Sequence, residues 1–315
     1  LVDRSDHIIM VLGGVPPGAR GPEWQELLTK LNAAVRSCSN RSTFAAKETS
    51  HYQGNFRSQA TGISYGGGRQ APGNVKISGV VNQEEMQKLM LDHNMQRVVG
   101  FSNSLFNAFG HKTFCEYKDT LKEHIARDSR LRPTSPSTVF AATTVNFGPQ
   151  TCTPPHLDAA NAAHGWCTDT AAGEFDPDKG GHLVLWNLNL VIRFPPGSTI
   201  LFPSALIMHS NIPVSPHETC YSIVQYSAGG LFCWRHNGWQ SDKKFFAKAS
   251  QKEKEQREKD RAQHWKVNLG KFTRWSDLVS GDWQGKRRTE AGLDEMSELS
   301  EEENICPAKK CARQH

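Results

Sequence analysis

The sequence predicts an α+β protein in which helices flank a double-stranded β-helix, or jelly-roll, core, followed by a charged C-terminal helix and a polar tail. Three observations carry this. Between residues 137 and 226, Val, Thr, Ile and Phe gather in short runs separated by Gly and Pro turns, as the strands of an antiparallel core do. Ahead of that stretch the apolar residues recur at three- and four-residue intervals, the helical period. Beyond it, over 240–265, eight basic and five acidic side chains alternate at helical spacing, the pattern of a solvated helix held by ion pairs one turn apart.

Taken in order, residues 8–15 are an apolar run of strand type. Pro16-Pro17-Gly18 and Gly21-Pro22 end it before a helix over 23–36 that gathers Leu27, Leu28, Leu31 and Ala34 on one face. From 37 to 74 the composition turns to Ser, Asn, Arg, Gln and Gly, a long polar loop ending in Gly66-Gly67-Gly68. Those glycines have neither the spacing nor the strand-to-helix context of a nucleotide-binding loop. Helical spacing returns over 84–107 and 109–125, and 127–136 is a polar, basic connector. Strand runs then occupy 138–147, 182–194, 199–202 and 219–226. The chain thus divides into one domain over 1–240, with a helical buttress and glycine-rich loop over 1–136 and the jelly-roll core over 137–240. A charged helix and an aromatic patch follow over 241–286, and an acidic tail over 287–315 is expected to be disordered.

At 315 residues, 37% of them apolar, with eight Trp and fifteen Phe, the chain can bury a sizeable core. Its early apolar run is too short to cross a bilayer, so no membrane partner is expected. Eight cysteines are scattered without a Cys-x-x-Cys pair or a disulfide-like spacing, which points to a reducing, intracellular setting. Net charge is +5, but 289–303 holds seven acidic and no basic side chains, so the rest of the chain stands at +12. A basic body of this kind fits a polyanion such as DNA.

The chemistry centres on Pro155-His156-Leu157-Asp158. If residues 151–158 are extended, His156 and Asp158 leave the same face and converge on one point. His209, 53 residues later and beyond a turn-rich segment, offers a third donor. His164, His182, His217 and His236 are alternatives that spacing alone leaves open. Two imidazoles and one carboxylate leave coordination positions free, which suits non-haem Fe(II) oxygenase chemistry better than a closed structural zinc. The loop before the core carries Lys47, Arg57 and Arg69 with Phe56 and Tyr65 interleaved, the residue types that contact phosphates and stack on bases.

Several segments together resemble the TET/JBP family of Fe(II)- and 2-oxoglutarate-dependent nucleic-acid dioxygenases, and most of all its fungal, transposon-associated branch. They are Asn146-Phe147-Gly148-Pro149, Pro155-His156-Leu157-Asp158, Gly165-Trp166-Cys167, Gly180-Gly181-His182, Phe194-Pro195-Pro196-Gly197-Ser198, His209-Ser210-Asn211, Gln225-Tyr226-Ser227 and Gly62-Ile63-Ser64-Tyr65-Gly66. The resemblance spans about residues 8–240. It implies Fe(II) held by His156, Asp158 and His209, 2-oxoglutarate and O2 as cosubstrates, and ascorbate as an aid. It also implies a partner in duplex DNA carrying methylated bases, with 5-methylcytosine oxidised, or N6-methyladenine demethylated, after the base is flipped out. No obligate protein partner is expected, and the location expected is nuclear. Where the family carries Arg-x-Ser for the far carboxylate of 2-oxoglutarate, this chain has Cys220-Tyr221-Ser222. Cysteine cannot form a paired, charge-assisted contact, so Arg193 is the candidate substitute, beside Ser222 and Asn146. Asn55, Asn161, His164 and Asp169 are candidates for the polar edge of the base. Phe56, Tyr65, Trp166 and Phe232 are candidates for stacking, and Arg57, Arg69 and Lys47 for phosphates. An oxygenase acting on protein or small molecules, and a jelly-roll DNA-binding protein that has lost catalysis, are the competing readings; Cys220 keeps the second open.

Overall fold

The computed structural model describes residues 1–16 and 22–280. The turn expected at 17–18, the end of the aromatic patch and the acidic tail lie outside the described residues. A first strand, β1 (Val11–Gly14), leads to the helix α1 (Pro22–Arg41) and a single turn, α2 (Ala46–Thr49). After β2 (Arg57–Ser64) and β3 (Gly73–Asn74) come three helices, α3 (Val80–Leu91), α4 (His93–Phe109) and α5 (His111–Arg127). The core strands are β4 (Ala142–Gly148), β5 (Cys167–Glu174), β6 (Leu183–Leu185), β7 (Leu190–Ile192), β8 (Thr199–Phe202), β9 (His209–Asn211) and β10 (Thr219–Tyr226). Four helices follow among the described residues: α6 (Gly229–His236), α7 (Asp242–Lys248), α8 (Gln251–Leu269) and α9 (Trp275–Val279).

A seven-stranded sheet in the order β1-β8-β5-β10-β4-β2-β3 faces a three-stranded sheet in the order β7-β6-β9, and adjacent strands run antiparallel. The period of two sorts the central strands. On β4 and β10, Val145, Phe147, Tyr221 and Ile223 face outward onto Leu27, Leu28, Leu31 and Val35 of α1 and onto α3 and α4. Cys220 and Tyr226 face inward, toward Phe175, Leu183, Leu185, Phe194 and Phe202 between the sheets. Each fully buried Leu or Phe of this kind stabilises by about 1.5–3 kcal/mol.

Polar contacts fix the helices. Asp92 caps α4 by accepting from the backbone N–H groups of Asn94 and Met95. Buried Asn32 of α1 donates to the carbonyl of Gly173 at 3.0 Å and accepts from its N–H at 2.8 Å, locking the helix to β5. Gly173 stands at φ +106, and a Cβ there would meet the Thr219 carbonyl oxygen at 2.2 Å, so only glycine fits.

Three expectations change. The stretch 37–74 is not one loop, because Arg57–Ser64 pairs along β4 as a full strand. The run over 182–194 is a hairpin rather than one strand: β6 and β7 are joined by a 3-10 turn, and Asn189 takes a left-handed φ of 52°. Residues 151–158 contribute only a single bridge, at His156, where extended backbone was expected throughout.

Candidate metal centre and its cavity

His156 and His209 sit opposite each other in one antiparallel bridge, each backbone N–H donating to the other's carbonyl at 3.0 Å. Just beyond, the Asp158 N–H donates to the Ser204 carbonyl, and Asn161 closes a turn on Asp158, bringing the carboxylate back beneath the two rings. Asp158 Oδ1 lies 3.7 Å from His156 Nε2 and Oδ2 lies 3.9 Å from His209 Nε2. The ring centroids are 4.2 Å apart, and one donor atom from each of the three residues lies within 4.8 Å of the others.

Both rings are oriented alike. His156 Nδ1 faces the carbonyl of Pro154 and His209 Nδ1 that of Ile207, each at 2.8 Å. A carbonyl can only accept, so Nδ1 carries the proton and the Nε2 lone pair points at the shared centre, as in metal-ligating histidines. Burial, with His156 alongside, lowers the pKa of His209 against the opposing pull of Asp158, which keeps the imidazole neutral and able to ligate. Gln53 donates to Asp158 Oδ1 at 3.2 Å and fixes the carboxylate. Phe202 packs edge-on against His209 at 4.9 Å.

The three residues line a cavity of about 310 Å³ between the sheets. Its wall also holds Asn146, Thr151, Asp169, Asn211, Cys220 and Ser222. Asn211, on the same face of β9 as His209, accepts from the N–H and hydroxyl of Thr153 and donates to the Thr151 carbonyl, which holds the segment leading into His156. Burial, then the charge of Asp158, pushes Asp169 up to about 7. Burial, then Asp169, pushes the Cys220 thiol up to about 12, so it stays protonated at neutral pH.

Comparison with models of protein families finds no match, and comparison with curated proteins finds none either. Solved structures similar to this chain include NgTET1 in complex with 5mC DNA, at 14% identity and a TM-score of 0.41, covering 70% of this chain and 72% of that one. A Pseudomonas putida prolyl-4-hydroxylase is similar at 14% identity and a TM-score of 0.35, covering 69% of this chain and 90% of that one. OsALKBH1 is similar at 11% identity and a TM-score of 0.32, covering 63% of this chain and 91% of that one.

The donor set fits a divalent iron: neutral imidazoles with fixed tautomers and one braced carboxylate. A 2-oxoglutarate fits less well. Its chelating end would lie on the metal, but among the described residues no Lys or Arg lines the cavity for the far carboxylate. Arg193 does not reach it; the side chain is half exposed and paired with Asp178. Ser222 and Asn146 are in the wall and bonded to each other, Asn146 Nδ2 donating to Ser222 Oγ at 2.8 Å.

Of the residues expected to read a base, Asn161 and Asp169 line the cavity. The others lie elsewhere. Asn55 borders a neighbouring shallow groove and accepts from Ser50. His164 pairs with Glu116 at 3.0 Å. Phe56 is buried against His51, and Trp166 is buried in the cluster around Phe106, with Phe232 partly buried against that cluster. Tyr65 packs on Trp234. Arg57 rests over Phe44 and donates to Ser39, and Arg69 donates to the carbonyls of Gly73 and Asn74. Sequence reasoning passed over Tyr52 and Gln53. Tyr52 is 73% exposed, lines the cavity and stands 6.3 Å edge-on from His156. An aromatic-amide pair in a polar loop was the available signal. Asn211 was findable as the residue two after His209, on the same strand face.

Proposed function

We propose that this chain is a mononuclear iron(II) oxygenase that oxidises a methyl group on a base of duplex DNA with a 2-oxo acid as cosubstrate. The observation that carries the reading is the donor set: two histidines with Nδ1 committed to main-chain carbonyls and one carboxylate, facing one point in a cavity between the sheets. Iron(II), when bound, supplies the activation of dioxygen. The chain's part is to hold His156, Asp158 and His209 in register through the β9 bridge, to brace Asp158 with Gln53, and to keep bulk water from the reacting atoms by the walls of the two sheets.

Support for DNA comes from the basic body, from exposed Lys47, Arg57 and Arg69, and from Tyr52, an exposed ring at the cavity. A stacked base hides its methyl group, so the nucleotide is extruded toward Asn161, with Tyr52 in the stacking role first given to Phe56. The resemblance to the TET/JBP family and its transposon-associated branch favours 5-methylcytosine, oxidised to 5-hydroxymethylcytosine and beyond, with N6-methyladenine second. It also favours a nuclear location. The test is incubation of methylated duplexes with the chain, Fe(II), ascorbate and a panel of 2-oxo acids that includes 2-oxoglutarate, with nucleosides read by mass spectrometry. Oxidised or demethylated product that disappears in His209→Ala supports the reading. No product with any acid, from protein that binds metal, overturns it.

A further inference from the structure

The cavity wall holds more than the metal ligands use. Asn146 Oδ1, Thr151 Oγ1 and Asp169 Oδ1 are buried and have no hydrogen-bond partner. Asn146 and Thr151 are only 7% and 5% exposed. All three residues line the cavity beside Cys220 and Ser222. Strand register explains the grouping: on β10 and β5, Ser222 pairs with Ala171 and Val224 with Asp169, so Asp169 projects to the same side as Cys220 and Ser222. A buried polar atom without a partner is costly, and a ligand that brings N–H groups satisfies all three.

A second carboxylate does the reverse. It meets no Lys or Arg among the described residues lining the cavity, and it leaves Asn146 Oδ1 without a donor, although the Thr151 hydroxyl can turn to donate to the carboxylate. The charges argue the same way. A divalent ion is balanced by Asp158 and by the chelating carboxylate of a 2-oxo acid, so Asp169, which burial pushes up to about 7, has no counter-charge for its ionised form. A cation at the far end favours that ionised form; a carboxylate there either meets a second negative charge or holds Asp169 protonated.

Resting on the function proposed above, we infer that the seat beside the metal takes a 2-oxo acid whose far end is a cationic nitrogen group, received by Asp169, Asn146 and Thr151, and not a dicarboxylate. Cys220 is the complement of that choice. A thiol leaves room and no positive charge where an arginine would repel the ligand.

The test is calorimetric titration of the full chain with Mn(II) without oxygen, then of the metal-loaded protein with 5-guanidino-2-oxopentanoate, 2-oxoglutarate and pyruvate. The guanidino acid is expected to bind at least about tenfold tighter than either of the others. Asp169→Asn, checked for folding by circular dichroism and melting temperature, should remove that advantage, and Cys220→Arg should turn the preference toward 2-oxoglutarate. A 2-oxoglutarate that binds the unaltered chain as tightly as the guanidino acid overturns the inference. So does a guanidino acid no tighter than pyruvate, or a preference that Asp169→Asn leaves in place. The Mn(II) step separates the two readings: absence of metal binding sinks the proposed function, whereas metal binding with the wrong preference sinks only the inference.

Discussion

Glu116 of α5 offers a test of how the C-terminal segment is held to the core. Its carboxylate accepts from Lys271 Nζ at 2.8 Å on both oxygens and lies 3.0 Å from His164 Nε2, so it joins a helix, the loop before β5 and the chain after α8. Burial alone would raise its pKa; the donors from His164 and Lys271 overrule that and hold the carboxyl down to about 2, against an ordinary 4.5. A gap of that size corresponds to roughly 3 kcal/mol at about 1.4 kcal/mol per unit. With the side chain 24% exposed, solvent screening reduces it to on the order of 2 kcal/mol. The sign follows from linkage: a depressed carboxylate contributes fully above its unfolded value, and the contribution fades as pH falls toward the folded one. Glu116→Gln should therefore lose on the order of 2 kcal/mol at neutral pH, and the gap to the unaltered chain should close as pH drops from about 4.5 toward 2. Urea midpoints across that range measure it. A gap that stays constant down to about pH 3, or no gap at neutral pH, would refute the account.

Four further outcomes are expected. Asn32→Ala strands both polar groups of Gly173 and should cost about 1–3 kcal/mol in urea unfolding, more than an exposed Asn on the same helix. Phe106, fully buried, stacks on Phe140 at 5.3 Å and meets Tyr117 at 5.2 Å, so Phe106→Ala should cost about 3–5 kcal/mol and lower the melting temperature. His209→Ala should abolish stoichiometric Mn(II) binding in calorimetry while the circular dichroism spectrum stays unchanged, since the β9 bridge is made by backbone. Arg57→Ala and Arg69→Ala should each weaken duplex binding for all sequences alike and lower the salt slope by about one, as read by fluorescence anisotropy at several salt concentrations.

Local signals were legible wherever the answer lay in spacing along the backbone. The run over 219–226 is the strand β10, and the alternating charges over 240–265 mark the helical stretch that α7 and α8 occupy. The His-x-Asp step pointed to two side chains that converge, although a turn closed by Asn161 on Asp158, not an extended strand, brings them together. The strand Arg57–Ser64 was not legible, because its Ser, Gln, Thr and Gly carry no apolar alternation; it is a strand because β4 offers it an edge to pair with. Phe56 read as a free aromatic in a polar loop until the same pairing turned it inward.

The sequence by itself determined the fold class and pointed to the His156–Asp158 pair, since periodicity and residue type are properties of the chain alone; spacing left the third donor open among several histidines, and Cys220 stood out only against the pattern of the family the chain resembles. Only the tertiary structure decided that Gln53 reaches Asp158 across 105 residues, that Arg193 is occupied by Asp178, and that the cavity gathers unpartnered polar atoms with no Lys or Arg among the described residues that line it. The reason is physical. Backbone spacing fixes which way a side chain leaves its strand, whereas the charge and hydrogen-bond balance of a cavity sums contributions from segments that meet only when the two sheets close.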